Sequence, residues 1–136
     1  MYDWVEDMNV MHTKYGVHEW IEENSNNKKN LNQFLEFRWA FLEEELFEIR
    51  KGLNDKNPEE IVDGLVDLCV IAIGTLDLFG IDSHKAWTEV FKANMNKEVG
   101  IKPSRPNPLG LPDLIKPEDW KAPSHEGNHG RIPDAL

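Results

Sequence analysis

The chain has 136 residues, enough for one domain with a sizeable core and too few for two domains of ordinary size. Twenty-five Asp and Glu face 15 Lys and Arg, a formal charge of -10 that argues against a surface built to neutralise nucleic-acid phosphates or anionic lipid. Hydrophobic content of 40% and charged content of 29% suit a soluble globular chain, and no apolar run approaches the roughly 18 residues of a membrane span.

In chain order, the periodicity is helical nearly everywhere and no alternating strand pattern is found. Val5, Met8, His12 and Tyr15 recur at helical spacing and predict a first helix to about Gly16, with Val17, Trp20 and Ile21 continuing its apolar face for a further turn or two. The polar run Asn24 to Asn30 predicts a loop. A second helix, from about Leu31 to Lys51, lines up Leu35, Leu42, Leu46 and Ile49, and Gly52 with the Asn54–Pro58 stretch ends it. A third, from about Pro58 to Phe79, is apolar nearly all round, including Ile61, Val62, Leu65, Val66 and Ile71. Such a helix must be buried on several sides, and three other helices hardly surround it, which predicts a homo-oligomer, a homodimer or homotetramer. Gly80 stops it; Asp82 or Ser83 caps a fourth helix to about Glu98, with Trp87, Val90 and Phe91 as core contacts.

Seven of the eight prolines lie between Pro103 and Pro133, where they forbid long helices. Residues 1–101 carry 20 acids and 10 bases, whereas residues 102–136 carry 5 of each. The expected division is therefore a helical body, 1–99, and a proline-rich stretch, 100–136, either a disordered tail or an arm laying Leu109, Leu111, Leu114, Ile115 and Trp120 on a neighbouring surface. The acidic N-terminus lacks the order of a secretory signal, and a lone cysteine, Cys69, forms neither an intrachain disulfide nor a Cys-rich zinc site; both point to the cytoplasm.

Chemistry is suggested by Glu43-Glu44-Glu45-Leu46-Phe47-Glu48 and, one loop later, Asp63-Gly64-Leu65-Val66-Asp67. Glu45 and Glu48, Glu44 and Glu48, and Asp63 and Asp67 each share a helix face, and antiparallel packing would converge them. Clustered carboxylates need raised pKa values or a bound cation, and hard oxygens suit Mg²⁺ or Mn²⁺. The competing readings are a solvated acidic face, strongest for Glu43, and a salt bridge of Asp63 and Asp67 with Arg38, Arg50 or Lys51. A di-iron bundle is disfavoured by the absence of Glu-x-x-His.

The order Arg38, Glu44-Glu45-x-x-Glu48, Asp63-x-x-x-Asp67 and Val90-Phe91-x-x-Asn94-x-x-Lys97 resembles the all-α nucleoside triphosphate pyrophosphohydrolases, the MazG-like superfamily, over about residues 5–99. It is most similar to short phage-encoded, cyanophage-type members, also through Met11-His12-x-x-Tyr15-Gly16 and Phe79-Gly80-Ile81. The usual pattern has Glu three residues before the last Asp; here Gly64 stands in that place and the acid is Asp63. The resemblance implies an all-α, four-helix-bundle-like homo-oligomer, host-cytoplasmic if phage-encoded, that hydrolyses (d)NTP to (d)NMP and pyrophosphate, with deoxynucleotides such as dGTP or dCTP as expected substrates. It implies Glu45, Glu48 and Asp67 as metal ligands, Asp63 as a fourth, and Glu44 as either a further ligand or the base that orients water. Asn94 and Lys97 match the segment that touches substrate. Arg38 either reaches a phosphate or pairs with Glu44 or Glu45; His12 and Asn9 are either substrate contacts or packed residues. Trp4, Met8 and Tyr15 either stack on the base or serve the core.

His125, His129 and Arg131 in the tail carry little signal. Two other classes stay open: a hydrolase of an alarmone or phosphoribosyl-nucleotide, using the same site, and a non-catalytic acidic helical module. The second leaves acids inside the apolar third helix unexplained.

Overall fold

A computed structural model describes residues 3–105, 107–110 and 113–136. The order of elements is α1 (Trp4–Lys14), α2 (Val17–Glu23), α3 (Lys28–Asn54), α4 (Pro58–Leu78), α5 (Ser83–Met95), β1 (Glu98–Gly100), β2 (Asp113–Ile115) and α6 (Ile132–Ala135). The predominantly helical expectation is met, with local punctuation that the side chains explain. Asp3 caps α1 by accepting from the Val5 and Glu6 amides, Asn27 caps α3 through the Asn30 amide, and Asn57 caps α4 beside Pro58. The first helix breaks earlier than expected, at Lys14, because Gly16 takes a left-handed φ of 72° and starts α2 in a new direction.

Contacts divide the chain into two compact units: the described residues up to Ser83 together with Gly127–Leu136, and His84–Glu126. The expected division after residue 99 follows composition, whereas these units follow packing.

In the first unit, α3 and α4 form the main pair. Gly52 lies against Ile61, Ile49 against Gly64, and Arg38 against Thr75, so the two helices run antiparallel. Their approach is closest at Gly64, where a Cβ would stand 2.6 Å from Ile49 Cγ1. The core lies where α2, the start of α3 and the end of α4 meet: Ile21, Leu31, Leu78 and Phe79 are buried, with Phe34 and Leu35 against them. The closing element comes from the far end of the chain. Ala135 is fully buried in this cluster, Asn32 Nδ2 donates to its carbonyl at 2.9 Å, and the Arg131 amide donates to Phe79 O at 2.6 Å. Asn128 and the Asp82 backbone exchange two hydrogen bonds, 2.8 and 2.9 Å, and Arg131 pairs with Glu22. Part of the proline-rich region therefore completes the chain's own core, through Ile132 and Ala135; of the leucines expected to form an arm, Leu109 and Leu114 are exposed and Leu111 lies outside the described residues.

The second unit holds α5 and an antiparallel pair, β1 with β2, in the register Glu98 to Ile115, Val99 to Leu114 and Gly100 to Asp113. The strands correct the expectation of helix alone, and α5 stops at Met95 rather than Glu98. Trp120 Nε1 donates to Ala93 O at 2.7 Å, giving this indole a partner within the unit. Trp87, Val90 and Phe91, expected as core contacts, are 73%, 38% and 55% exposed. No helix among the described residues is long and apolar enough to cross a membrane.

Among the described glycines, Gly130 has the tightest surroundings. Its φ is 53°, and a Cβ would fall 2.0 Å from Phe79 O. Gly130→Ala is expected to cost about 3 kcal/mol, from a backbone conformation unfavourable to L-residues combined with loss of the Arg131-to-Phe79 bond; urea unfolding followed by circular dichroism measures it. Gly64→Ala should cost less, about 1 kcal/mol, because overpacking against Ile49 is partly offset by the better helix propensity of alanine.

Candidate active site

Antiparallel pairing sets Glu44, Glu45 and Glu48 of α3 near Asp67 of α4. Glu45 is the focus. Its Oε2 is buried and has no hydrogen-bond partner among the described residues. Burial, and then the negative charges of Glu48, Asp67 and Glu44, hold its carboxyl above the ordinary glutamate range. Three of the expected ligands, Glu45, Glu48 and Asp67, thus interact electrostatically, together with Glu44. Glu44 and Glu48 are exposed and Asp67 is half-buried, so the cluster opens to solvent on one side. Asp63 is exposed. The residue three before Asp67 is Gly64, where a Cβ would stand 2.6 Å from Ile49 Cγ1, so a side chain there requires Ile49 to shift. An orphaned buried oxygen amid further carboxylates, with no cation paired to it, is a donor set that fits a hard divalent ion.

Arg38 is not paired with Glu44 or Glu45. Its Nε donates to Thr75 Oγ1 and its Nη2 to Ile71 O, both at 2.9 Å, and burial lowers its pKa. Thr75 in turn donates to Ile71 O at 2.7 Å, so this cation clamps α3 to a turn of α4.

His12 and Asn9 meet on Asp77, near the end of α4. His12 is 4% exposed, with Nδ1 2.8 Å from Asp77 Oδ2. His18 Nε2 lies 2.7 Å from the same oxygen, and Asn9 Nδ2 donates to Oδ1 at 3.0 Å. Burial pushes the Asp77 carboxyl up, but the hydrogen bonds from His12, Asn9 and His18 and the charge of His18 outweigh it and hold the group below the usual aspartate range. His18 and Asp77 were not singled out from sequence. One signal was available: an acid in the last turn of an apolar helix faces the negative end of the helix dipole and needs local donors.

Asn94 and Lys97 belong to the second unit. Asn94 is exposed, and Lys97 Nζ stands 5.5 Å from the Trp120 ring centroid, with Lys116 Nζ at 4.8 Å. A cavity of about 600 Å³ within this unit is lined by Lys92, Lys121 and Trp120 but also by Glu89, Glu98 and Asp119, a balance of charge that is no phosphate cradle. In the first unit, a slot of about 190 Å³ opens between α1 and α4 among Trp4, Met8, Val66, Val70 and Ile73. Tyr15, by contrast, is 68% exposed.

The raised Glu45 pKa gives a signed prediction. A carboxyl of this kind supports the fold only while protonated; the contribution is complete below the unfolded value of about 4.3 and is lost as pH rises through the higher folded value. In chelator-treated protein, Glu45→Gln should therefore melt with the wild type near about pH 4 and a few degrees above it at neutral pH. Paired thermal melts across that range provide the check.

Residues 16–94, more than half of the chain, match the family described as phosphoribosyl-ATP pyrophosphohydrolase. The match spans α2, α3 and α4 and most of α5, including every residue of the acid cluster. No curated protein and no solved structure gives a significant match. The paired acids of α3 and α4 thus sit inside the matched region, and the chain belongs to the phosphoribosyl-ATP pyrophosphohydrolase family, with an all-α, MazG-related nucleotide pyrophosphohydrolase fold.

Proposed function

We propose that this chain cleaves nucleoside triphosphates between the α- and β-phosphates, releasing a nucleoside monophosphate and pyrophosphate, with Mg²⁺ or Mn²⁺ held by Glu45, Glu48 and Asp67. The observation that carries the reading is the buried, unpartnered Glu45 Oε2 among three further carboxylates. A protein of charge -10 is poorly suited to a polyanionic substrate without a cation, and a set of carboxylates with no lysine or arginine salt bridge among the described residues is suited to recruiting one. When bound, such an ion neutralises phosphoryl charge and acidifies water. Glu45, anchored on α3, orients the group of ligands; Glu44, exposed beside it, accepts the proton of the attacking water; Asp63, exposed a turn before Asp67, adds an outer carboxylate.

The slot between α1 and α4 supports a place for the base. At about 190 Å³ it is smaller than the roughly 300–1,000 Å³ of pockets that enclose a whole ligand, so it is sized for a ring rather than a nucleotide. Trp4 offers a face for stacking and Met8 an adaptable wall. Deoxynucleotides, dGTP or dCTP among them, are the proposed substrates. A second reading, hydrolysis of phosphoribosyl-ATP, is favoured by the description of the family itself. We further propose that copies associate through α4, where Val62, Leu65 and Val66 are 61%, 51% and 45% exposed on a helix otherwise built for burial.

A panel of NTPs, dNTPs and phosphoribosyl-ATP, assayed for pyrophosphate with Mg²⁺ and Mn²⁺, tests both substrate readings. Activity should fall at least about 100-fold in Glu48→Ala and Asp67→Ala with circular dichroism unchanged. No turnover of any substrate with either ion overturns the enzyme reading. Trp4→Ala should raise KM about tenfold with little change in kcat if the base binds in the slot. Sedimentation velocity reports association, and a monomer at high concentration rejects it.

A further inference from the structure

The contact between His18 and Asp77 poses an accounting problem. Thr13 Oγ1 has one proton, and it is committed to Asn9 O at 2.8 Å. The same oxygen lies 3.2 Å from His18 Nδ1, and where it accepts from that nitrogen the ring proton is on Nδ1. A neutral His18 then presents a bare lone pair at Nε2, yet Nε2 stands 2.7 Å from a carboxylate oxygen. Two lone pairs do not share that distance; a positive species belongs between them, either a second proton or a metal ion.

The surroundings favour the ion. His12 Nδ1 faces the same Oδ2 at 2.8 Å, and one ligand atom from each of His12, His18 and Asp77 lies within 4.8 Å of the others. Three helices contribute one ligand each, α1, α2 and α4. The outer groups are also in place: Asn9 holds the second oxygen of Asp77, and Thr13 Oγ1 lies 3.2 Å from the other ring nitrogen of His18. His18 is 31% exposed at its side chain, which leaves an approach and room for water as a fourth ligand. We propose that His12 Nδ1, His18 Nε2 and Asp77 Oδ2 form a site for a first-row transition metal of borderline softness, Zn²⁺ first, separate from the hard-oxygen cluster of Glu45 and independent of the activity proposed above. Tetrahedral bonds of about 2.1 Å set ligand atoms roughly 3.4 Å apart, so binding opens the two contacts to Asp77 by roughly 0.6–0.7 Å and sets the two imidazole nitrogens, now within 4.8 Å, at the same spacing, through rotation of the Asp77 carboxylate and the partly exposed His18 ring.

The probe is Co²⁺ added to the full chain after chelator treatment, with excess Mg²⁺ present. The expected result is the visible d–d absorption of a four-coordinate ion at one equivalent per chain, its displacement by Zn²⁺, and a rise in melting temperature with Zn²⁺. His18→Ala and the closer-shaped His18→Gln should weaken Co²⁺ binding at least about 100-fold, while Glu48→Ala and the exposed control His129→Ala leave the band intact. Absence of the band, or its persistence in both His18 variants, overturns the site. A His18 ring found doubly protonated by ¹⁵N NMR with Zn²⁺ present also overturns it, and assigns the contact to an imidazolium–carboxylate pair.

Discussion

The close antiparallel approach of α3 and α4 is the constraint on which the rest of the first unit depends. Where Gly64 meets Ile49 a side chain has room only if Ile49 shifts, so the helix backbones approach closely there. That contact brings acids from both helices into mutual range, and it disfavours a carboxylate at the one position where the superfamily pattern expects it. Higher along the pair, Gly74 leaves the space that Arg38 Nη2 and the His12 ring occupy. Arg38 then spans to the carbonyl of Ile71, and His12 reaches Asp77. Both polar clusters are consequences of the same packing decision.

The two clusters treat a shielded carboxyl in opposite ways. Asp77 is met by two imidazole nitrogens and an amide donor, and its carboxyl is held below its ordinary range. Glu45 is surrounded by other acids, its buried oxygen has no donor, and its ionisation is resisted. Low dielectric strengthens whichever field is present, so nitrogen partners favour the ionised carboxylate in the first arrangement, whereas like charges oppose it in the second. Arg38 does not meet the Glu45 cluster, being held by the Thr75 hydroxyl and the Ile71 carbonyl of α4.

The sequence was informative wherever a long periodic segment or an explicit cap was present. Pro58 and the apolar stretch of α4 correspond to real boundaries within a few residues, whereas the run expected as a loop from Asn24 to Asn30 gives way to α3 at Lys28, behind the Asn27 cap. The acid pairs could be placed on facing helices because their spacing is local and the connecting turn is short. What escaped has no local signature. Strands of three residues, Glu98–Gly100 and Asp113–Ile115, are too short to display a period. The burial of Ala135 against Phe79 depends on contacts across more than fifty positions, and a small residue among prolines announces nothing. His18 lies beyond the turn at Gly16, so its meeting with His12 follows from a left-handed glycine rather than from helical spacing. Trp87 and Phe91 had the pattern of core residues, yet periodicity reports an apolar face and not what covers it.

The return of Gly127–Leu136 to the body makes the second unit an insertion in the topology of the first. Its entrance and exit are stitched together by the reciprocal bonds between Asp82 and Asn128. The bond from Asn32 to Ala135 spans 103 positions, which raises the contact order of an otherwise local helical fold. During synthesis, therefore, α1 to α4 can form and pair early, but Leu31 and Phe79 wait for cover until the whole inserted unit has emerged. Loop-closure entropy grows only logarithmically with length, so the unit can gain or lose residues at small cost to the body. The molecule thus separates a slow, late-sealing core from a segment whose length is nearly free to vary.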